Sequence, residues 1–286
     1  MPQRLPFLVR IVLATERARC AVEHLQALLS EEILWAWTRP REREVIGRIL
    51  YSKMDCYLPG GWIFEEGLLN WERLAFATPP FPPTGRILLG GAGGGRELHG
   101  LCGMGFDVVA FEPCERLCEG ARQVVSAYPK STVVCASYGD LVTAAEQRTG
   151  PLAAYILNTS FDAVLFGLGS FTHVLPESDR QALLHATRIV APKAPLLFSF
   201  ISRSQGAEKG RLDRLRPPIR RLFELLRAPS ARRPGDRFFS DTGFAHALTL
   251  DEVRTVADQA GYRIVYGRQG NASRPHVIPH VLLMPQ

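Results

Sequence analysis

Five glycines fall within the six residues Gly90–Gly95, between a short apolar run and a segment of helical character. Ile87, Leu88 and Leu89 read as a buried strand, and Glu97-Leu98-His99-Gly100-Leu101-Cys102 resumes as a helix. A glycine turn between strand and helix bares its backbone to a ligand, and the helix N-terminal N–H groups point at that ligand. The junction constrains the chain to an α/β fold. A second strand, Phe106-Asp107-Val108-Val109-Ala110-Phe111, follows and ends in Glu112-Pro113. A carboxylate at the C-terminal edge of that strand, roughly 20 residues past the turn, is placed to accept two hydrogen bonds from a ribose diol.

The glycine spacing separates two kinds of nucleotide ligand. The dinucleotide pattern G-x-G-x-x-G fails in every register: from Gly91 its third glycine would be Arg96, from Gly90 its second would be Ala92, and from Gly93 its third would be Leu98. The motif is instead Gly91-x-Gly93-x-Gly95. With Glu112 behind it, the chain resembles the class I S-adenosylmethionine (SAM)-dependent methyltransferases of small-molecule type. The resemblance covers about residues 57–286 and is most specific over Arg86–Pro113 and Phe161–His173.

The resemblance implies a doubly wound α/β fold: a Rossmann-like, mostly parallel seven-stranded sheet with an antiparallel final strand. It implies a helical N-terminal cap over 1–83, a methyltransferase domain over 84–286, and a basic insertion at about 202–248. SAM is the implied cofactor and a small molecule the implied partner. Gly91, Ala92, Gly93 and Gly95 would approach its methionine part, Glu112 and Pro113 its ribose, and Ser137 and Tyr138 its adenine. Gly167 and Leu168, in the run to Ser170, would flank the transfer site. Two departures stand out. Leu89 occupies a place where the family usually has an acid, for which Glu97 is a partial substitute by orienting the loop. Ser137 stands where an acid often meets the adenine, with Asp140 three residues on.

Strands and helices alternate from 86 onward, as a parallel sheet with helices on both faces requires. Strands are expected at 86–90, 107–111, 131–136, 161–166, 195–201, 262–267 and 278–284. Helices are expected at 96–103, 114–127, 139–148, 177–190 and 249–260. Upstream, Ala21–Trp37 has the apolar stripe of an amphipathic helix, and Pro79-Pro80-Phe81-Pro82-Pro83 forms a hinge into the first strand.

The net charge of +6 is local. Arg203–Arg237 holds eleven basic residues and four acids, which leaves the rest of the chain at −1. That distribution argues against a protein wrapped generally in nucleic acid. Arg214, Arg216, Arg220, Arg221 and Arg227, with Leu212, Leu215, Ile219, Leu222, Phe223 and Leu226 between them, form an amphipathic basic helix interrupted by Pro217-Pro218. Such a face could meet an anionic substrate, RNA or a membrane surface, or simply be solvated over a lid. The most apolar N-terminal stretch, Leu5–Ala14, is broken by Arg10, so no transmembrane segment is expected and cytoplasmic residence is the default. Six cysteines lack C-x-x-C pairs and read as free thiols, with no metal site expected.

Methyl transfer from a sulfonium is an in-line displacement that needs alignment above all, and a base only when the acceptor must lose a proton. His173, after the fourth strand, and His246, after the insertion, are the candidate bases. Tyr57, Trp62, Trp71 and Glu72 lie in the cap, where aromatic faces could close over a sulfonium or simply pack. Three rivals stay open: an RNA or protein methyltransferase using the basic insertion, a nicotinamide oxidoreductase opposed by Arg96, and a cofactor-binding scaffold without transfer.

Overall fold

A computed structural model describes residues 6–203, 214–226, 228–229, 232–269 and 278–286. Leu212 and Arg227 of the basic helix lie outside the described residues. Helices are α1 (Phe7–Trp37), α2 (Pro40–Tyr51), α3 (Trp62–Glu65), α4 (Asn70–Phe76), α5 (Arg96–Gly103), α6 (Glu115–Val125), α7 (Tyr138–Gln147), α8 (Ala153–Ile156), α9 (Glu177–Val190), α10 (Arg216–Leu225) and α11 (Leu250–Gln259). Strands are β1 (Arg86–Gly90), β2 (Asp107–Glu112), β3 (Thr132–Cys135), β4 (Ala163–Phe166), β5 (Leu196–Ser199), β6 (Asp236–Phe239), β7 (Gly243–His246), β8 (Tyr262–Arg268) and β9 (His280–Pro285). Short 3-10 turns occur at Asp55–Tyr57 and Ser170–His173.

The chain divides into two compact units, residues 1–43 with 205–234, and residues 44–204 with 235–286. Residues 44–83, which the sequence groups with the cap, cluster with the sheet. The insertion is shared: α10 falls in the smaller unit and the β6–β7 hairpin in the larger.

The larger unit is built on a seven-stranded sheet of order β3-β2-β1-β4-β5-β9-β8. The pairs from β3 through β5 are parallel, and β9 runs antiparallel between β5 and β8. The central strands β1, β2, β4 and β5 read as near-continuous apolar runs because both faces are covered, whereas the edge strand β8 is largely exposed. Side chains alternate between the two layers. Leu88, Phe111, Val164 and Phe198 pack with Leu141, Leu183 and Val256 of α7, α9 and α11. Ile87, Leu89, Val108 and Leu165 pack with Leu98, Leu101 and Cys118 of α5 and α6. Winding reverses between β1 and β4, so the crevice for a ligand opens at the carboxyl ends of these two strands.

In the smaller unit, α1 runs 31 residues and starts well before the expected Ala21. Pro6 stands at its N-cap in extended conformation, and the chain leaves the helix at Thr38, two residues before Pro40. Pro217 and Pro218 do not interrupt α10. They occupy its first turn, where the missing N–H groups have no helical partner to lose. Three arginines of this segment pair with two acids of α1. Arg216 Nη1 lies 2.8 Å from Glu31 and 2.7 Å from Glu32, and Arg220 Nε lies 2.9 Å from Glu32. Arg232 reaches Glu31 at 2.6 Å and Glu32 at 2.5 Å. Burial alone would raise the Glu32 carboxyl, but these guanidinium groups hold it below its ordinary value.

Candidate functional site

At the carboxyl end of β1 the glycine loop is tied to its neighbours. Gly91 and Ala92 donate their N–H groups to the Phe111 carbonyl at 2.9 and 3.1 Å. Gly91, Gly93 and Gly95 all have left-handed φ, at 67°, 54° and 99°. They differ in what faces them. A Cβ on Gly91 would lie 2.7 Å from Ser170, and one on Gly95 would meet α6 at Ala121. Gly94 is covered by the Tyr57 carbonyl. Only at Gly93 does space remain, with Tyr57 Cδ1 the nearest atom at 3.8 Å.

Glu112 ends β2 beside that opening. Its Oε2 accepts from Gly93 N and its Oε1 from Cys114 N, both at 2.9 Å. A carboxylate has about four lone-pair sites, so each oxygen retains capacity for another donor. Burial pushes this carboxyl up to about 7 against the pull of the Cys114 and Gly93 N–H groups. Pro113 borders a groove of about 900 Å³ together with Arg48, Leu58, Pro59 and Arg116.

The loop after β4 is fixed from α5. Glu97 Oε1 accepts from Leu168 N at 3.0 Å and from Arg96 at 2.6 Å. Arg96 in turn grips Glu72 with two bonds of 2.8 Å. Its position at the positive end of a helix is tolerated because two buried acids face it. Gly167 donates to Gly90 O at 2.8 Å, closing the loop onto β1. Glu97 thus orders the loop after β4.

Ser137 caps α7 in a reciprocal box with Asp140. Ser137 N and Oγ each donate to Asp140 Oδ2 at 2.7 Å. Tyr138 lies over β1: a Cβ on Gly90 would sit 2.7 Å from its ring. Ser170 donates to Gly167 O at 2.8 Å, so Tyr138 O–H is the donor in its 2.6 Å bond to Ser170 Oγ.

His173 and His246 are drawn to the same hairpin. His173 Nδ1–H donates to the Phe244 carbonyl at 2.8 Å, which leaves Nε2 as the acceptor for Tyr51 O–H at 2.9 Å. Burial lowers the His173 pKa and keeps the ring neutral. His246, across the hairpin from Asp236, bonds its carboxylate through Nδ1 at 2.6 Å, and both side chains are buried. Tyr57 sits over the glycine loop and meets Tyr51 edge-on, with ring centroids 5.7 Å apart. Trp71 stacks on His280, Glu72 belongs to the Arg96 pair, and Trp62 is largely exposed.

Sequence reasoning missed Tyr51 and Asp236. No periodicity or motif marks them, because each acquires its role from a residue brought in by folding.

No protein-family model matches this sequence, and no curated protein does either. Solved structures do. A SAM-dependent methyltransferase of Methanosarcina mazei matches over 77% of this chain and 98% of its own, at 15% identity and a TM-score of 0.50. The glycopeptide N-methyltransferase MtfA matches over 74% of this chain and 94% of its own, at 18% identity and a TM-score of 0.49. Magnesium protoporphyrin IX methyltransferase of Synechocystis, solved with bound SAM, covers 70% of this chain and 69% of its own, at 13% identity and a TM-score of 0.42. The fold of this chain is that of the class I SAM-dependent methyltransferases.

Proposed function

We propose that this chain is a SAM-dependent methyltransferase acting on a small-molecule acceptor. The observation that carries the reading is the pairing of Glu112 with Gly93 at the carboxyl end of β1 and β2. There a buried carboxylate with spare lone pairs borders the one loop glycine that keeps open space. These residues fit the cofactor. The Gly93 backbone would hold the methionine part, Glu112 the ribose hydroxyls, and Ser137 and Tyr138 the adenine side, with Gly167 and Leu168 flanking the transfer position. When bound, SAM supplies an electrophilic methyl group on a sulfonium.

The chain's own contribution is placement and proton handling. Glu97 and Gly90 fix the loop that flanks the transfer position. His173, neutral and with Nε2 as an acceptor, can take the proton of a hydroxyl acceptor. Tyr51 O–H occupies that nitrogen, so an acceptor hydroxyl must displace it before His173 can take its proton. His246 acts by position, since its bond to Asp236 braces the hairpin that carries the Phe244 carbonyl.

The nicotinamide reading meets Arg96 buried between two acids where a third glycine would have to stand. The RNA reading loses three of its cations to Glu31 and Glu32.

Calorimetric titration of the full chain with SAM, S-adenosylhomocysteine, NADH and NADPH tests the proposal. Micromolar binding of the first pair and none of the second is expected. Binding of the nicotinamide pair alone overturns the reading, and binding of neither pair overturns it as well, leaving a degenerate fold without cofactor.

A further inference from the structure

Among the described residues nothing covers the first half of α1, whose opening turns are apolar. Every residue from Pro6 to His24 is exposed, with Phe7 and Leu8 each at 73%, Val12 at 59% and Val22 at 65%. At helical spacing Phe7, Ile11, Ala14, Ala18 and Val22 fall on one stripe, and Arg10 and Arg17 lie along one border of it. No acid occurs before Glu16 in the sequence, and Glu16 and Glu23 are both engaged by Arg19, at 2.8 Å each. The charge this segment offers outward is therefore positive.

We propose that α1 is a membrane-surface helix that beds its N-terminal half into an anionic lipid interface. Two observations choose lipid over a second copy of the chain. Val9 and Leu13, on the far side from the stripe, are exposed as well, so residues 7–14 are apolar on every side except that of Arg10. A protein partner covers one face of a helix, whereas immersion at the depth of the headgroup–acyl boundary covers most of it. The bordering arginines can also extend their charged ends to anionic headgroups while their methylene stems stay among the acyl chains. The helix lies on the bilayer and does not cross it, since no helix among the described residues is long and apolar enough to span one.

The test is co-sedimentation of the full chain with phosphatidylcholine–phosphatidylglycerol vesicles and with phosphatidylcholine vesicles alone, alongside light scattering without lipid. Binding to the anionic vesicles that weakens with salt is expected. The double substitution Phe7→Asp with Ile11→Asp should cut the bound fraction about tenfold or more, and Arg10→Glu with Arg17→Glu should weaken it comparably. All four positions are solvent-exposed, so the thermal midpoint should stay put. Three results would each overturn the proposal: no binding to either vesicle, binding that the substitutions leave unchanged, or a concentration-dependent dimer abolished by the Phe7→Asp and Ile11→Asp pair.

Discussion

Glu112 is an acid whose surroundings oppose its charge. Its pKa rises from 4.5 to about 7 because burial removes water faster than two backbone N–H groups replace it. The folded state therefore binds this proton more tightly than the unfolded chain does. The contribution is fully present below about pH 4.5 and is lost as pH rises to about 7, roughly 3 kcal/mol in all. The stability of the parent relative to Glu112→Gln should fall as pH rises from about 4.5 to about 7, read as the difference in thermal midpoints across pH. The same change should weaken SAM binding by roughly 1.5–3 kcal/mol in calorimetry, because a charged acceptor is lost. A glycine's role, by contrast, was only half legible in the sequence. Gly91, Gly93 and Gly95 look alike there, yet Ser170 covers the first and α6 backs the last. Spacing reveals where a side chain is forbidden, and folding decides whether ligand or protein takes the room.

At the scale of elements, α10 depends on α1 through ion pairs more than through apolar contact, since none of its residues is buried. Glu32, 1% exposed, is the hub of that arrangement. Glu32→Gln should cost about 1–3 kcal/mol, as when a charged acceptor is removed while Glu31 still pairs with Arg216 and Arg232. Hydrogen exchange is the suitable readout, because amides of α10 should lose protection while those of β1 and β4 keep theirs. Acid should act like the mutation: the Glu32 pKa is lowered on folding, so its stabilising contribution is present above 4.5 and fades as pH falls below that value. The strands of the sheet were legible within a residue or two because burial on both faces writes unbroken apolar runs such as Ala163–Phe166. The start of α1 was not, since residues 7–14 lack the one-sided pattern that packing imposes. The β6–β7 hairpin was hidden inside a segment whose arginines dominate its composition. Tyr51 and His173, separated by 122 positions, left no local sign of their pairing.

Across the whole molecule, the smaller unit is assembled from two stretches that are far apart in sequence, 1–43 and 205–234. It cannot be removed by a single cut. A shortened chain beginning at Glu44 would keep Arg216, Arg220 and Arg232 but lose Glu31 and Glu32, releasing three cations that the intact protein holds in check. Such a fragment should bind RNA in a mobility-shift assay with steep salt dependence, while the full chain does not. An affinity for nucleic acid found in a trimmed version would therefore report the scissors and not the protein. Any rearrangement that transplants this unit onto another scaffold must likewise carry two inserts at once, which makes it a possession of this chain and a poor traveller.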